Sequence, residues 1–505
     1  MFKRLRPALS VCLAAAAMAA APQTPVERVR AWRTAHETSV LGNLFAWLSL
    51  PNVAANKADI QRNAEALVRM FGDRHFTAEI VPTAGSPVVF AERRVPGATR
   101  TIGFYFHYDG QPVNPREWTH SPPFTPVVVA TDGRTLKVED LHAPVDSEWR
   151  VYGRSASDDK SPIVAFLSGV DALDALGIPL TSNVKVILEG DEEAGSPNLE
   201  RVIREHGDRI RGDVLMMVDG PRHASGRATL FFGARGIETA TITVYGPAHD
   251  LHSGNYGNWA PNPALELSRL LGGMKDDHGR ILVPGFYDDV TPLTPIERQA
   301  LDEIPNVAPM LMKTFGFSQP ENPDERLEYR HNLPTLNIDA MESGGGVGGQ
   351  GRTVIPATAA ARLDLRLVKT IDPQKQFDRL VAYVRSKGYF LVDGDPDAAT
   401  RAAHPLIARV TRSGGYPAGR TPMDVPIAKA VVSAVAGAAG GEIVRLPTIG
   451  GSAPFYVFTD VLKVPTIGLS VVNFDNNQHG ANENLRIQNL WDAIDSMAAL
   501  LTMPR

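Results

Sequence analysis

Cysteine is almost missing from this 505-residue chain: Cys12 is the only one, and it lies in an apolar N-terminal stretch. A single cysteine forms no internal disulfide. If the chain is cleaved beyond it, no thiolate remains to hold a metal or attack a substrate. Any metal must then rest on His, Asp and Glu. Past the N-terminus the chain has no apolar run of 18 residues, so the body is expected to be soluble. It has no internal repeat and no long low-complexity segment. It also lacks a basic stripe interleaved with aromatics, and its formal net charge of −5 argues against nucleic-acid binding.

A hydrophobic share of 43% and a charged share of 21% are ordinary for globular proteins. The length suggests two or three domains. The first residues differ in character. Lys3, Arg4 and Arg6 precede an apolar, small-residue run from Ala8 to Ala21. Ala17-Met18-Ala19 or Ala19-Ala20-Ala21 fits a cleavage site, so residues 1–21 read as a secretory signal peptide. Val11, before Cys12, is bulkier than a lipoprotein site usually carries. This reading places the mature protein in the periplasm or outside the cell, with no membrane attachment. Losing the three cations leaves 48 basic residues against 56 acidic, near −8.

Three short apolar runs, Thr101 to Phe106, Asn183 to Leu188 and Asp213 to Val218, read as strands. Between the first two, Ile163, Phe166, Leu167, Val170, Leu173 and Leu176 recur at helical spacing. Strands alternating with helices imply α/β architecture with a largely parallel sheet. In mid-chain, Ile237 to Tyr245 and Arg362 to Leu367 alternate apolar and polar residues, as half-buried strands do. Helices are expected at Ala264 to Leu271 and Gln374 to Arg385. We read 236–417 as an α+β domain inserted between two parts of an α/β domain, 22–235 and 418–505. Gly344-Gly345-Gly346 and Gly348-Gly349 mark a flexible loop in the insert. A helix from Pro426 to Ala438 and a strand from Thr466 to Val472 complete the second α/β part.

Chemistry gathers just past the strands, where open α/β sheets place their sites. His107 and Asp109 form His-x-Asp, in which a carboxylate can fix the tautomer of a metal-bound imidazole. Alone, that motif is weak, and a surface turn explains it better. Asp158-Asp159-Lys160 sets two like charges side by side, which needs a cation, a helix N-terminus or solvent nearby. Glu189-Gly190-Asp191-Glu192-Glu193 puts four carboxylates in five residues, enough for a metal ligand and a free base, or for a solvated acidic turn. Asp219 ends the third strand, and His479 lies in a polar loop near the C-terminus. Together, five such sites favour a His/Asp/Glu metal centre, for which Zn²⁺ is suited and Mn²⁺ or Co²⁺ also fit.

In order, HYDGQP, SASDDK, EGDEEAGS, VDGP and HGANEN resemble the carnosinase and carboxypeptidase G group of co-catalytic zinc aminopeptidases, carboxypeptidases and acylases. The resemblance spans nearly the whole mature chain. Asp250-Leu251-His252-Ser253-Gly254 is similar to the group's lid histidine motif, Thr353-Val354-Ile355-Pro356 and Arg366 to the carnosinase lid, and Gly450-Gly451-Ser452 to its substrate-binding turn. The resemblance implies a zinc-peptidase catalytic domain with a mixed, largely parallel sheet covered by helices. It also implies a ferredoxin-like lid that pairs two subunits as a homodimer. Two Zn²⁺ would be held by His107 and Asp219 on one side and Glu193 and His479 on the other, with Asp158 between. Asp109 would orient His107, Glu192 would act as general base on a water between the ions, and His252 would stabilise the oxyanion, reaching a second subunit. Thr353, Arg366 and Ser452 would grip a substrate carboxylate. The implied activity is hydrolysis of dipeptides or short peptides with a free C-terminus. An N-acyl amino acid amidohydrolase or a carboxypeptidase on the same scaffold is the alternative, and a non-catalytic peptide-binding protein a distant one. The sequence departs from the group at Ser161-Pro162, where glycine is common, and at Ala453 and Phe455, which bear on side-chain preference.

Overall fold

The computed structural model describes residues 23–345 and 352–504. Residues 1–21, read from the sequence as a signal peptide and including Cys12, and most of the glycine loop, including Gly346, Gly348 and Gly349, lie outside the described residues.

An eight-stranded mixed sheet forms the body. Its middle four strands, Asn183–Glu189, Thr101–His107, Val214–Met217 and Thr466–Ser470, run parallel to one another. Helices cover both faces, which explains why these strands are continuous apolar runs rather than alternating ones. Along Thr101–His107, Ile102, Phe104 and Phe106 enter a core roofed by Pro25–Leu48, Lys57–Gly72, Lys160–Ala175, Pro426–Ala439 and Ile487–Leu501. Tyr105 points the other way, to a core closed by Leu199–His206 and by Phe455, Phe458 and Leu462. The mixed α/β fold class read from the sequence holds. Its helix Pro426 to Ala438 runs one residue further, and its strand Thr466 to Val472 stops at Ser470.

Two N-terminal helices were not read from the sequence. Pro25–Leu48 starts with a capping box, in which Glu27 N donates to Thr24 Oγ1 and Thr24 N to Glu27 Oε2. Its buried apolar residues crowd into its last turns, at Val40, Leu41, Leu44, Phe45, Trp47 and Leu48, so no even stripe runs its length.

The inserted lid is built on a seven-stranded sheet, with Pro263–Gly272 and Pro373–Ser386 packed on one face around Leu267, Leu363, Leu365 and Leu380. Strand Gly233–Tyr245 joins the two bodies. Its first residues pair with Gly419–Arg420 and Ile449–Ser452, and the rest with Thr358–Leu367 and Ile407–Tyr416. The lid also leans on the body, since Leu301 and Ile304 belong to the same apolar cluster as Phe231 and Leu446. Among the described residues, no helix is long and apolar enough to cross a membrane.

Candidate metal centre and substrate cleft

Three parallel strands deliver four of the expected residues to one edge of the sheet. His107 ends Thr101–His107, Glu192 and Glu193 follow Asn183–Glu189, and Asp219 follows Val214–Met217. Gly190 makes the second of these turns: a Cβ there would sit 2.5 Å from Tyr108 Oη and 2.9 Å from Pro87 O. A separate antiparallel pair, Arg150–Tyr152 with Asn484–Arg486, brings the remaining two loops together. One carries Asp158 and the other His479.

Ligand atoms of His107, Asp158 and Asp219 lie within 4.8 Å of one another, as do those of Asp158, Glu193 and His479. Asp158 belongs to both groups. Its Oδ1 is 2.7 Å from His107 Nε2 and its Oδ2 3.2 Å from His479 Nε2, while Glu193 Oε2 is 3.4 Å from that same nitrogen. The Asp158–Asp159 peptide is cis. The five residues form a single cluster with Asp158 at its centre.

The electrostatics call for cations. Burial raises the Glu193 carboxyl to about 8, with the charge of Asp158 adding to it. Burial likewise pushes Glu192 well up, and Asp219 and Glu193 push it further. Asp219 is raised by burial and by Asp158. For Asp158, hydrogen bonds and charge from His107 and His479 outweigh burial and hold the carboxyl down. Several carboxylates sharing a buried site are stable together only with positive charge among them. Two imidazoles and a set of carboxylates, free of thiolates, match divalent ions such as zinc. The donor set thus fits a dimetal cofactor.

Other side chains support these ligands: Asp109 was expected from the sequence, whereas Gln478, Gln111 and Glu483 were not. Asp109 is fully buried and accepts from the backbone N–H groups of Glu192 and Glu193, at 3.2 and 3.0 Å. Its Oδ1 is 3.4 Å from His107 Nδ1, and that nitrogen has no hydrogen-bonded partner among the described residues. Gln478 Nε2 donates to Asp158 Oδ2 at 2.6 Å, and Gln111 Nε2 to Glu193 Oε2 at 2.6 Å. Glu483 is fully buried and accepts from Ser155 N, Ser157 N and Asp158 N, each at 2.9 Å, and from Arg154 Nη1 at 2.7 Å. Arg154 Nη2 also donates to Gly480 O at 3.1 Å, next to His479. His479 itself has φ of 66°, costly for a residue with a Cβ, and these ties hold it. The carboxylate–amide ties of Glu483 were hidden in the sequence because their partners are 325 to 328 residues away.

A cavity of 520 Å³ opens on the cluster. Asp158, Glu192, Asp219 and His479 line one part of it, and Arg366, Gly451 and Ser452 another. Asp364 grips Arg366 with both oxygens, and Arg366 Nη1 donates to Ser452 Oγ at 2.8 Å. Burial also drives His331, in the same wall, down to about 3, so it stays neutral.

The other two lid residues are elsewhere. His252 and Thr353 are exposed and do not line the cavity. A short ladder pairs His252 with Val354, and Ser253 N donates to Thr353 O. His252 Nδ1 accepts from Gly254 N and Asn255 N, which leaves the ring proton of the neutral imidazole on Nε2 as a donor.

Residues 103–503 match the profile of Peptidase family M20/M25/M40. The chain is 28% identical over 414 residues to the Cys-Gly metallodipeptidase dug1 of Schizosaccharomyces pombe, spanning 81% of this chain and 80% of that protein. It is 31% identical over 313 residues to the Beta-Ala-His dipeptidase of Homo sapiens, spanning 60% and 57%. The solved M20 family metallo-carboxypeptidase Sso-CP2 from Sulfolobus solfataricus superimposes with a TM-score of 0.76 at 28% identity, covering 92% of this chain and 98% of that one.

Proposed function

The chain belongs to peptidase family M20/M25/M40, and from that membership we propose that it is a dipeptidase acting on short peptides with a free C-terminal carboxylate. It is a metal-dependent hydrolase of the dimetal type. The observation that carries the dipeptide reading is the shared cavity, with the metal cluster at one part and Arg366 and Ser452 at another. The curated relatives named as dipeptidases point the same way.

His107, Asp158, Asp219, Glu193 and His479 would hold the two ions, Asp158 belonging to both ligand groups, and Zn²⁺ is the ion we assign. When bound, the ions would supply Lewis acidity and lower the pKa of water at the site. Glu192 reaches the same cavity without belonging to either ligand group. It takes the water's proton and returns it to the leaving amine. Asp109 orients the imidazole of His107. Arg366 offers the substrate carboxylate a planar fork of donors, and Ser452 adds its hydroxyl. His252 and Thr353 serve the site of a second subunit, where the Nε2–H of His252 stabilises the oxyanion. On this reading 236–417 is the lid and dimerisation domain, 22–235 and 418–505 form the catalytic domain, and residues 1–21 direct the protein to the periplasm or the medium.

A carboxypeptidase is the second reading, favoured by the superposition on the Sulfolobus enzyme. Hydrolysis of dipeptides, longer peptides and N-acyl amino acids, with and without chelator, separates the readings. Chelator-sensitive cleavage of dipeptides above the rest supports the first. Faster trimming of longer peptides replaces it with the second, and cleavage of acyl amino acids alone moves the enzyme to the acylases.

A further inference from the structure

Among the described residues, one buried charge beside the cleft makes no ion pair with a carboxylate. Arg235 is 5% exposed and precedes the point where strand Gly233–Tyr245 leaves the body for the lid. Its Nε donates to His331 O at 3.0 Å and its Nη2 to Arg330 O at 3.1 Å. Both acceptors are neutral. In the strand ladders, Arg235 is paired with Ser452, and Ile237, two residues on, with Arg366. Successive side chains of a strand alternate faces, so Arg235 and Ile237 share one. Arg366 and Asp364, partners of Ile237 and Thr239, lie on that same face.

The ionised groups felt by Arg235 are Arg366, Asp364 and Arg330. Arg330 is offset by Glu325 at 3.2 Å. Glu328, nearby, is engaged by His223 at 3.1 Å and Arg326 at 3.4 Å. His331 is neutral. Asp364 is bonded to Arg366, so Arg235 has no carboxylate partner of its own among the described residues. Burial first, and then Arg366, push Arg235 down to about 10, so it still carries its charge at neutral pH. Arg366 lines the 520 Å³ cavity and Arg235 an adjoining one of 950 Å³; His331 and Gly450 line both. Gly450 fits there because it has no side chain: a Cβ would meet His331 Nε2 at 2.7 Å. An uncompensated positive charge in a partly desolvated wall is stabilised by an anion, and the field there is less screened than at the surface.

We propose that Arg235 is a specificity-determining residue, whose charge behind Arg366 and Ser452 makes this wall demand one carboxylate from the substrate. The inference rests on the dipeptidase reading and extends it. Arg235 acts through the field at Arg366, while its two hydrogen bonds hold the Arg330–His331 segment. A purely structural role would affect charged and blocked substrates alike; the electrostatic role separates them.

The test uses full-length, metal-loaded protein carrying Glu192→Gln, so that binding is read without turnover. Dissociation constants for alanyl-alanine and its C-terminal amide are measured by calorimetry with Arg235 intact, with Arg235→Gln and with Arg235→Lys. Glutamine can still donate to a carbonyl but has no charge; lysine keeps the charge. The Gln variant is expected to weaken the free dipeptide about tenfold and the amide less than about twofold. The Lys variant should stay within about threefold of the parent for both. Asp364→Asn probes the same balance from the other side, without touching Arg235, should the Gln variant fail to fold. It removes the carboxylate paired with Arg366 and is expected to shift the preference toward the free dipeptide by about threefold. An unchanged acid-to-amide ratio in the folded variants overturns the proposal. Turnover by the protein with Glu192 restored is measured separately. Its absence counts against the dipeptidase reading, while turnover with an unchanged binding ratio counts against Arg235 alone.

Discussion

The body and the lid hold their functional groups in opposite ways. In the body, His107, Asp158 and Asp219 are packed among neighbours and restrained by hydrogen bonds, with side chains from three strand ends and two loops converging within a few ångströms. On the lid, His252 and Thr353 stand exposed on a short ladder, away from the body's cavity. Buried ionisable groups must find their counter-charges within the chain or in bound ions. Exposed groups carry no such demand and are free to meet a partner. The contrast separates a cluster whose candidate ligands all come from one chain from a lid histidine that, on the proposed reading, serves a second subunit.

The strongest way to sharpen the contrast is in the body. Glu192→Gln should lower kcat by about 10³-fold with metal content unchanged, as measured by steady-state kinetics and elemental analysis. Loss of metal along with activity would make Glu192 a ligand instead of a base. Next, Asp158→Asn should deplete both ions, since Asp158 belongs to both ligand groups. Elemental analysis showing only one ion lost would break the bridging role.

On the lid, His252→Ala should lower kcat by about 10²-fold and leave metal content and melting temperature in place. Mixing and re-associating that variant with Glu192→Gln should restore activity, because each hybrid then holds one intact site with a partner's histidine. A mixture that stays inactive, with hybrids present by native mass spectrometry, would place His252 in its own chain's site.

The smallest effect expected is a pH dependence. Glu193 has a folded pKa of about 8 against an ordinary 4.5. A raised value means the folded protein holds the proton more tightly than the unfolded chain. The associated stability is present in full below about 4.5 and is lost as pH rises through about 8. Chelator-stripped protein should therefore melt at lower temperatures as pH climbs across that window, and metal-loaded protein should shift much less. Equal slopes for the two forms would show that the cluster does not govern this loss.

Much of the body was legible because local chemistry and global fold agree there. A run such as Thr101 to Phe106, apolar on both faces, can only be a covered strand, and the polar residue that ends it then falls at the sheet's carboxyl edge. The helical spacing from Ile163 to Leu173 was equally plain. The helix Pro25–Leu48 was not, since its apolar residues lie mostly in its last turns. Gln478, Gln111 and Glu483 also escaped. Amides and a lone glutamate carry no spacing signal, and their roles depend on which loop lies opposite.

The sequence by itself determined the alternation of strands and helices and the kinds of group at each strand end, because backbone period and side-chain chemistry are written locally. Only the tertiary structure decided that Asp158 stands between two histidines, that Arg235 lies near Arg366 without a carboxylate of its own, and that His252 is exposed outside its own chain's cavity. Those facts depend on the pairing of Arg150–Tyr152 with Asn484–Arg486 and on the strand that crosses from body to lid. Distance and burial set the charge balance, and neither is encoded in residue type or in spacing along the chain.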